Sequence, residues 1–150
     1  MAEAIALSRR NIRERKGGPF GAVIVRYGEI IARGTNLVPS TNDPTAHAEI
    51  TAIREACRVL KNFQLSDCEI YSSCEPCPMC LGAIYWARLR PVYFANTRTD
   101  AAVIGFDDEL LYNEFTVPLS GRTIPMIQIM NAEALEVFRE WNSLEDKITY

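Results

Sequence analysis

The chain contains a single histidine, His47, and a proline-framed cysteine run, Cys74-Glu75-Pro76-Cys77-Pro78-Met79-Cys80. Residues at i and i+3 share one face of a helix, so Cys77 and Cys80 can aim both sulfurs at one object. Pro76 and Pro78 suit a helix entrance, where a missing N–H costs little. The partial positive charge of a helix N-terminus lowers a thiol pKa and favours the thiolate. Two thiolates there form half of a soft metal site, and zinc is the expected ion. The other half lies upstream at His47, so the fold has to bring these two stretches to one point.

The length of 150 residues fits one compact domain with a real core. Hydrophobic residues at 48% and charged residues at 23% are a globular balance. The net charge of -3 gives no support to a polyanionic partner, so no nucleic acid is expected. Five cysteines, two of them in C-x-x-C spacing, behind no secretory h-region, point to reduced thiols, a metal site and a cytoplasmic address. No apolar run is long enough to span a membrane.

Taken in order, residues 2–16 read as a short charged helix anchored by Leu7 and Ile12. Its basic run reads as a solvated face. Gly17-Gly18-Pro19 ends it. Phe20 to Val25 reads as a strand buried on both faces, and Ile30-Ile31-Ala32 returns after a turn at Tyr27-Gly28. Residues 35–45 form a polar loop, and Thr45 is positioned to cap a helix from about Ala46 to Leu60. The helix carries the stripe Ile50, Ile53, Cys57 and Leu60, with Glu49 beside it on the buried side. His47 and Glu49 point to different sides, so only at the first turn can both border one pocket.

Cys68 to Ser73 reads as a strand leading into the cysteine run. The following helix, Cys77 to about Leu89, is apolar all round and therefore expected to be buried, with Gly82 marking close approach of another backbone. Pro91 to Ala95 is a further short strand, residues 96–121 read as irregular, and Thr123 to Ile129 is the last strand candidate. Asn131 is the expected cap of a final helix with the stripe Ala134, Val137, Phe138, Trp141, Leu144 and Ile148. Alternating strands and helices make the class α/β, with helices on both faces of a sheet.

His47-Ala48-Glu49 with Pro76-Cys77-Pro78-Met79-Cys80 matches the H-x-E…P-C-x-x-C signature of zinc deaminases of bases. Three protein ligands leave a fourth tetrahedral position for water or hydroxide, and Glu49 suits a proton shuttle beside it. The reaction class is hydrolytic deamination at an amidine-like ring carbon. A closed structural site is the competing reading, because Cys74 also lies three residues before Cys77. It is the weaker one, since closed sites need no acidic neighbour. Cys57 and Cys68 read as small core residues.

These motifs resemble the cytidine deaminase superfamily. Gly17-Gly18-Pro19-Phe20-Gly21-Ala22-Val23, Asn42 to Glu49, Ser73 to Ala87, Thr99-Asp100-Ala101-Ala102 and Gly105-Phe106-Asp107-Asp108 are similar to the bacterial guanine deaminases within it. The resemblance runs from Gly17 to Tyr150. It implies a three-layer α/β/α fold with a mixed five-stranded sheet, and one zinc per chain held by His47, Cys77 and Cys80. It also implies a homodimer whose C-terminal segment, about 131–150, is exchanged between protomers. Implied substrate contacts are Asn36, the Ala48 backbone, Asp108 and Tyr150, with Phe20 and Trp86 lining the pocket. The N-terminal helix departs from that pattern in being shorter and poorer in apolar residues.

Deamination of guanine to xanthine and ammonia in purine salvage is thus the expected function. A tRNA adenosine deaminase would carry the same zinc motifs, but the acidic final helix (Glu133, Glu136, Glu140, Glu145, Asp146) would repel phosphates. Two further readings compete with it. One is a deaminase of another small amino-heterocycle, such as cytosine or a triazine, and the other is a zinc-stabilised binding module without activity.

Overall fold

The computed structural model describes residues 1–149, so Tyr150 lies outside the described residues. The chain divides into two compact units, Met1–Asp108 and the segment from Glu109 onward.

The first unit is built on a mixed sheet of four strands in the order β2-β1-β3-β4. Strand β1 (Gly21–Arg26) and β2 (Glu29–Thr35) form the expected antiparallel hairpin through Tyr27-Gly28. Strand β3 (Cys68–Cys74) runs antiparallel to β1, and β4 (Val92–Asn96) runs parallel to β3. A parallel pair needs a crossover, which the cysteine-bearing helix α4 (Pro78–Ala87) provides. Helix α1 (Ala2–Arg13) and helix α3 (Ala48–Leu60) cover opposite faces of the sheet. Glycines make this contact close. A Cβ on Gly21 would lie 2.4 Å from the Ala4 carbonyl oxygen of α1, and one on Gly34 would lie 2.1 Å from the Ala48 carbonyl oxygen of α3. Gly34 pairs with Ala22, the next residue of β1 after Gly21, so the two glycines face opposite ways. That is why β1 is buried on both faces, as its unbroken apolar run suggests.

Several local expectations are corrected. Helix α3 begins at Ala48, and His47, in extended conformation, is its N-cap residue. Thr45 instead donates its backbone N–H and its hydroxyl to Asp43 Oδ1, at 2.8 and 2.7 Å, closing the turn before the helix. The sheet-facing side of α3 is the small-residue row Ala48, Ala52 and Ala56, with Ile53, Cys57 and Leu60 half-buried around it. Small residues let the helix lie close on β2, which the stripe of larger side chains would not allow. On α1, Leu7 is buried but Ile12 is exposed, and Asn11 takes the inner position. The loop between β2 and α3 contains a one-turn helix α2 (Val38–Thr41).

The stretch read as irregular holds α5 (Arg98–Val103) and, in the second unit, α6 (Glu109–Thr116). A capping box starts α5: Asp100 N–H donates to Thr97 Oγ1 at 3.2 Å, and Thr97 N–H donates to Asp100 Oδ2 at 2.8 Å. Helix α4 is not buried all round. Cys80, Ile84 and Ala87 point inward, whereas Tyr85 is 75% and Trp86 67% exposed. A Cβ on Gly82 would meet open space, so no backbone of the described residues crowds it.

The second unit contains α6, one 3-10 turn (Leu119–Gly121) and helix α7 (Asn131–Ser143). Glu114 ties α6 to the segment after the turn by accepting from the Thr123 N–H at 3.0 Å and the Thr123 hydroxyl at 2.8 Å. No strand forms at Thr123 to Ile129, so the expected fifth strand is corrected to a sheet of four. Ile124, Ile127 and Ile129 are exposed there, and the unit's described residues offer no other strand to pair with. Met130, in the left-handed region, is the N-cap residue of α7, and Asn131 is already helical. None of the described residues from Glu109 onward is buried, and the stripe residues Val137, Phe138, Trp141 and Leu144 are all exposed.

Candidate metal centre and active site

The starts of α3 and α4 meet beside the C-terminal end of β3. His47 and Cys77 are the N-cap residues of their helices, both in extended backbone, and Cys80 follows one turn into α4. His47 Nδ1 lies 3.6 Å from Cys77 Sγ and 3.5 Å from Cys80 Sγ. The three donor atoms lie within 4.8 Å of one another. A tetrahedral ion with zinc–nitrogen and zinc–sulfur bonds of about 2.0 and 2.3 Å would hold such a pair about 3.6 Å apart. The donor set and its spacing therefore fit zinc.

Close packing shifts the titration of all three groups. A hydrogen bond from Cys80 and another with His47 hold the Cys77 thiol down to about 4. The same hydrogen bond to Cys77, together with burial, pushes Cys80 up. The hydrogen bond to Cys77 also raises His47. A divalent cation held here would take both sulfurs as thiolates and the imidazole as a neutral ligand.

Glu49 lies on the first turn of α3 and is only 6% exposed. Its Oε1 accepts the Ser72 hydroxyl at 3.1 Å, and its Oε2 accepts from Cys80 Sγ at 3.4 Å. Burial raises its pKa, so the carboxylate holds a proton more readily than a surface glutamate. The sequence pattern does not mark Ser72, although a serine pair in an otherwise buried strand end is a visible signal.

Cys74 stands apart from the cluster. Its buried thiol faces the Thr97 carbonyl at 3.6 Å, and burial raises it to about 11. Zinc content of Cys74→Ser should therefore equal that of the parent. Loss of the metal in that variant, measured as zinc per chain, would restore the closed-site reading. Cys68 is buried and raised to about 11, and Cys57 is half-buried and also raised, as small core residues would be.

Around the cluster, Asn36 is buried, and its Oδ1 accepts the Gly18 and Val38 N–H groups, each at 3.3 Å. Ala48 is fully buried in the first helical turn, where backbone N–H groups have no intrahelical acceptor. Glu75 accepts the Arg98 N–H at 2.9 Å, which fixes the start of α5 beside the cysteine run. The chain then returns through Phe106, whose ring meets Phe20 edge-on at 4.9 Å. Asp108 is half-buried, and burial and then the Cys77 charge raise its carboxyl. Phe106 joins Phe20 in a way no spacing rule shows, since the two come from distant stretches. Trp86 sits on the outer side of α4.

An α/β unit with a His-Cys-Cys cluster and a buried glutamate beside it has the make-up of a zinc-dependent deaminase site. Residues 1–96 match the cytidine and deoxycytidylate deaminase zinc-binding region, and the chain belongs to that family. It is 53% identical to the guanine deaminase of Bacillus subtilis over 150 residues, all of this chain and 96% of the other. The X-ray structure of the Bacillus subtilis guanine deaminase superposes with a TM-score of 0.96, covering 99% of this chain and 95% of that one. A solved guanine deaminase from Nitrosomonas europaea is 32% identical, with a TM-score of 0.69 over 95% of this chain and 82% of the other. A tRNA-specific adenosine deaminase from Aquifex aeolicus is 49% identical over 77 residues, 51% of each chain.

Proposed function

We propose that this chain is a zinc-dependent aminohydrolase that converts guanine to xanthine and ammonia in purine salvage. The observation that carries this reading is the extent of the similarity. The likeness to a guanine deaminase runs through both units, whereas the likeness to the Aquifex aeolicus tRNA deaminase covers only half the chain. No described helix is long and apolar enough to cross a membrane, and the proposed setting is the cytoplasm.

In this reading His47, Cys77 and Cys80 would hold one zinc, which would supply the Lewis acidity that makes water a nucleophile near neutral pH. Glu49 is the proton carrier beside that cluster, placed to accept a proton from the attacking water and to give one to the departing nitrogen. Its burial suits the task, because it draws the carboxyl toward the working pH. Ser72 fixes one carboxylate oxygen, leaving the other toward the cluster. Asn36, the Ala48 backbone and Asp108 bind the base, and Phe20 lines its pocket. Asp108 accepts hydrogen bonds from guanine N–H donors that the adenine ring lacks.

A panel of guanine, adenine, cytosine, a triazine and a tRNA anticodon stem tests the assignment. Guanine should be turned over far faster than the rest. Preference for the stem would move the chain to the tRNA-editing branch.

We also propose a homodimer in which the C-terminal segment, about 131–150 and ending in Tyr150, completes the partner's pocket as part of one deaminase domain. Support comes from the second unit. It exposes Phe138, Trp141 and Ile148 and buries none of its described residues, so it requires a surface to dock on. A chain lacking Ile148 to Tyr150 should be inactive with zinc retained. Mixed with a Glu49→Gln chain, it should regain activity, because one pocket then has an intact Glu49 and a donated tail. Mixed dimers seen by native mass measurement that stay inactive would refute the exchange.

A further inference from the structure

Helix α1 reaches the substrate-binding loop through one buried side chain. Asn11 is almost fully buried, and its Nδ2 donates to two backbone carbonyls, Gly18 at 2.9 Å and Asn36 at 2.8 Å. Both carbonyls belong to one knot. The Gly18 N–H donates to Asn36 Oδ1 at 3.3 Å, the Asn36 N–H donates to the Phe20 carbonyl at 3.2 Å, and the Phe20 N–H donates to the Gly18 carbonyl at 2.8 Å. Ser8, one helical turn before Asn11, adds a grip on the Pro19 carbonyl at 2.8 Å. Because the Gly18 and Val38 N–H groups both point at Asn36 Oδ1, the Asn36 amide has one orientation, with its NH2 turned away from them.

Asn11 Oδ1 has no protein hydrogen-bond partner among the described residues, so the amide acts through Nδ2. The two donors of Nδ2 are what the position retains, and both are spent on the backbone that carries Asn36 and Phe20.

We propose that Asn11 is a positioning residue for guanine deamination, holding the Asn36 amide and the Phe20 backbone at the base-binding angle. This rests on the reading of Asn36 as a substrate contact. It gives α1 a part in the reaction.

A double-mutant cycle on the zinc-loaded chain tests it. Asn36→Ala should lower guanine kcat/KM by about tenfold or more, the loss of an orienting hydrogen bond. Asn11→Ala should cause a loss of similar size with zinc per chain unchanged. In the Asn36→Ala background, Asn11→Ala should cost less than about threefold further, because its effect passes through Asn36. A merely structural role gives losses that multiply, and that result overturns the proposal. If Asn36→Ala alone leaves guanine kinetics unchanged, the substrate-contact reading fails first and takes the proposal with it. Should Asn11→Ala not fold, Gly17→Ala perturbs the same carbonyl. Its Cβ would lie 2.2 Å from the Asn36 carbonyl oxygen. The same coupling with Asn36→Ala is expected, and multiplying losses again overturn the proposal.

Discussion

Replacing Glu49 with glutamine is expected to lower guanine turnover by on the order of 10²–10⁴-fold while zinc stays in place. The amide keeps the volume and can still accept the Ser72 hydroxyl, so the local packing has little reason to change. What it cannot do is accept a proton. The same substitution should leave Tm unchanged or higher. Glu49 is buried, and burial disfavours its charged form, so a neutral group there is no worse for the fold. A stable variant that has lost its chemistry is the signature of a group held for reaction rather than packing. Turnover within a factor of roughly three of the parent, at equal zinc content, would remove Glu49 from the mechanism.

Replacing Asp108 with alanine is expected to cost guanine kcat/KM up to about 10²-fold, the range for a hydrogen bond to a charged acceptor. Zinc content should not move, because Asp108 is outside the His47, Cys77 and Cys80 cluster. Discrimination should move with it. A site built to receive N–H donors rejects bases without them by leaving its acceptor unpaired, and alanine removes that penalty. Guanine should therefore lose more than adenine, narrowing the preference between them. Unchanged guanine kinetics would place specificity elsewhere in the pocket.

The candidate metal donors are legible in the sequence because their chemistry is local. One histidine and a C-x-x-C pair at helix starts leave few ways to converge, and His47, Cys77 and Cys80 do converge. Glu49 is legible for the same reason, as a carboxylate on the buried side of a short helical turn. The hairpin and the alternation of strands and helices follow from apolar runs and turn residues. What periodicity cannot show are contacts decided by shape. The alanine row of α3 faces the sheet because it can come close to Gly34, not because it is the most apolar row. Helix α5 is hidden in a polar stretch, although Thr97 and Asp100 already spell its capping box. Asn11 looks like part of a solvated helix and is instead buried under the Asn36 carbonyl. Helix α4 reads as wholly apolar, yet Tyr85 and Trp86 are exposed; apolar composition alone does not say what covers a helix. Thr123 to Ile129 shows the reverse error. Alternating apolar residues suggest a strand, but pairing needs a neighbour, and its own unit's described residues supply none.

The most direct test is the fate of guanine on the zinc-loaded chain in water labelled with oxygen-18. Zinc per chain, ammonia released and the mass of the product would be measured in one sample. The account calls for one zinc per chain, one ammonia per guanine consumed, and xanthine carrying a single labelled oxygen from the water. Full zinc occupancy with guanine left intact would contradict it.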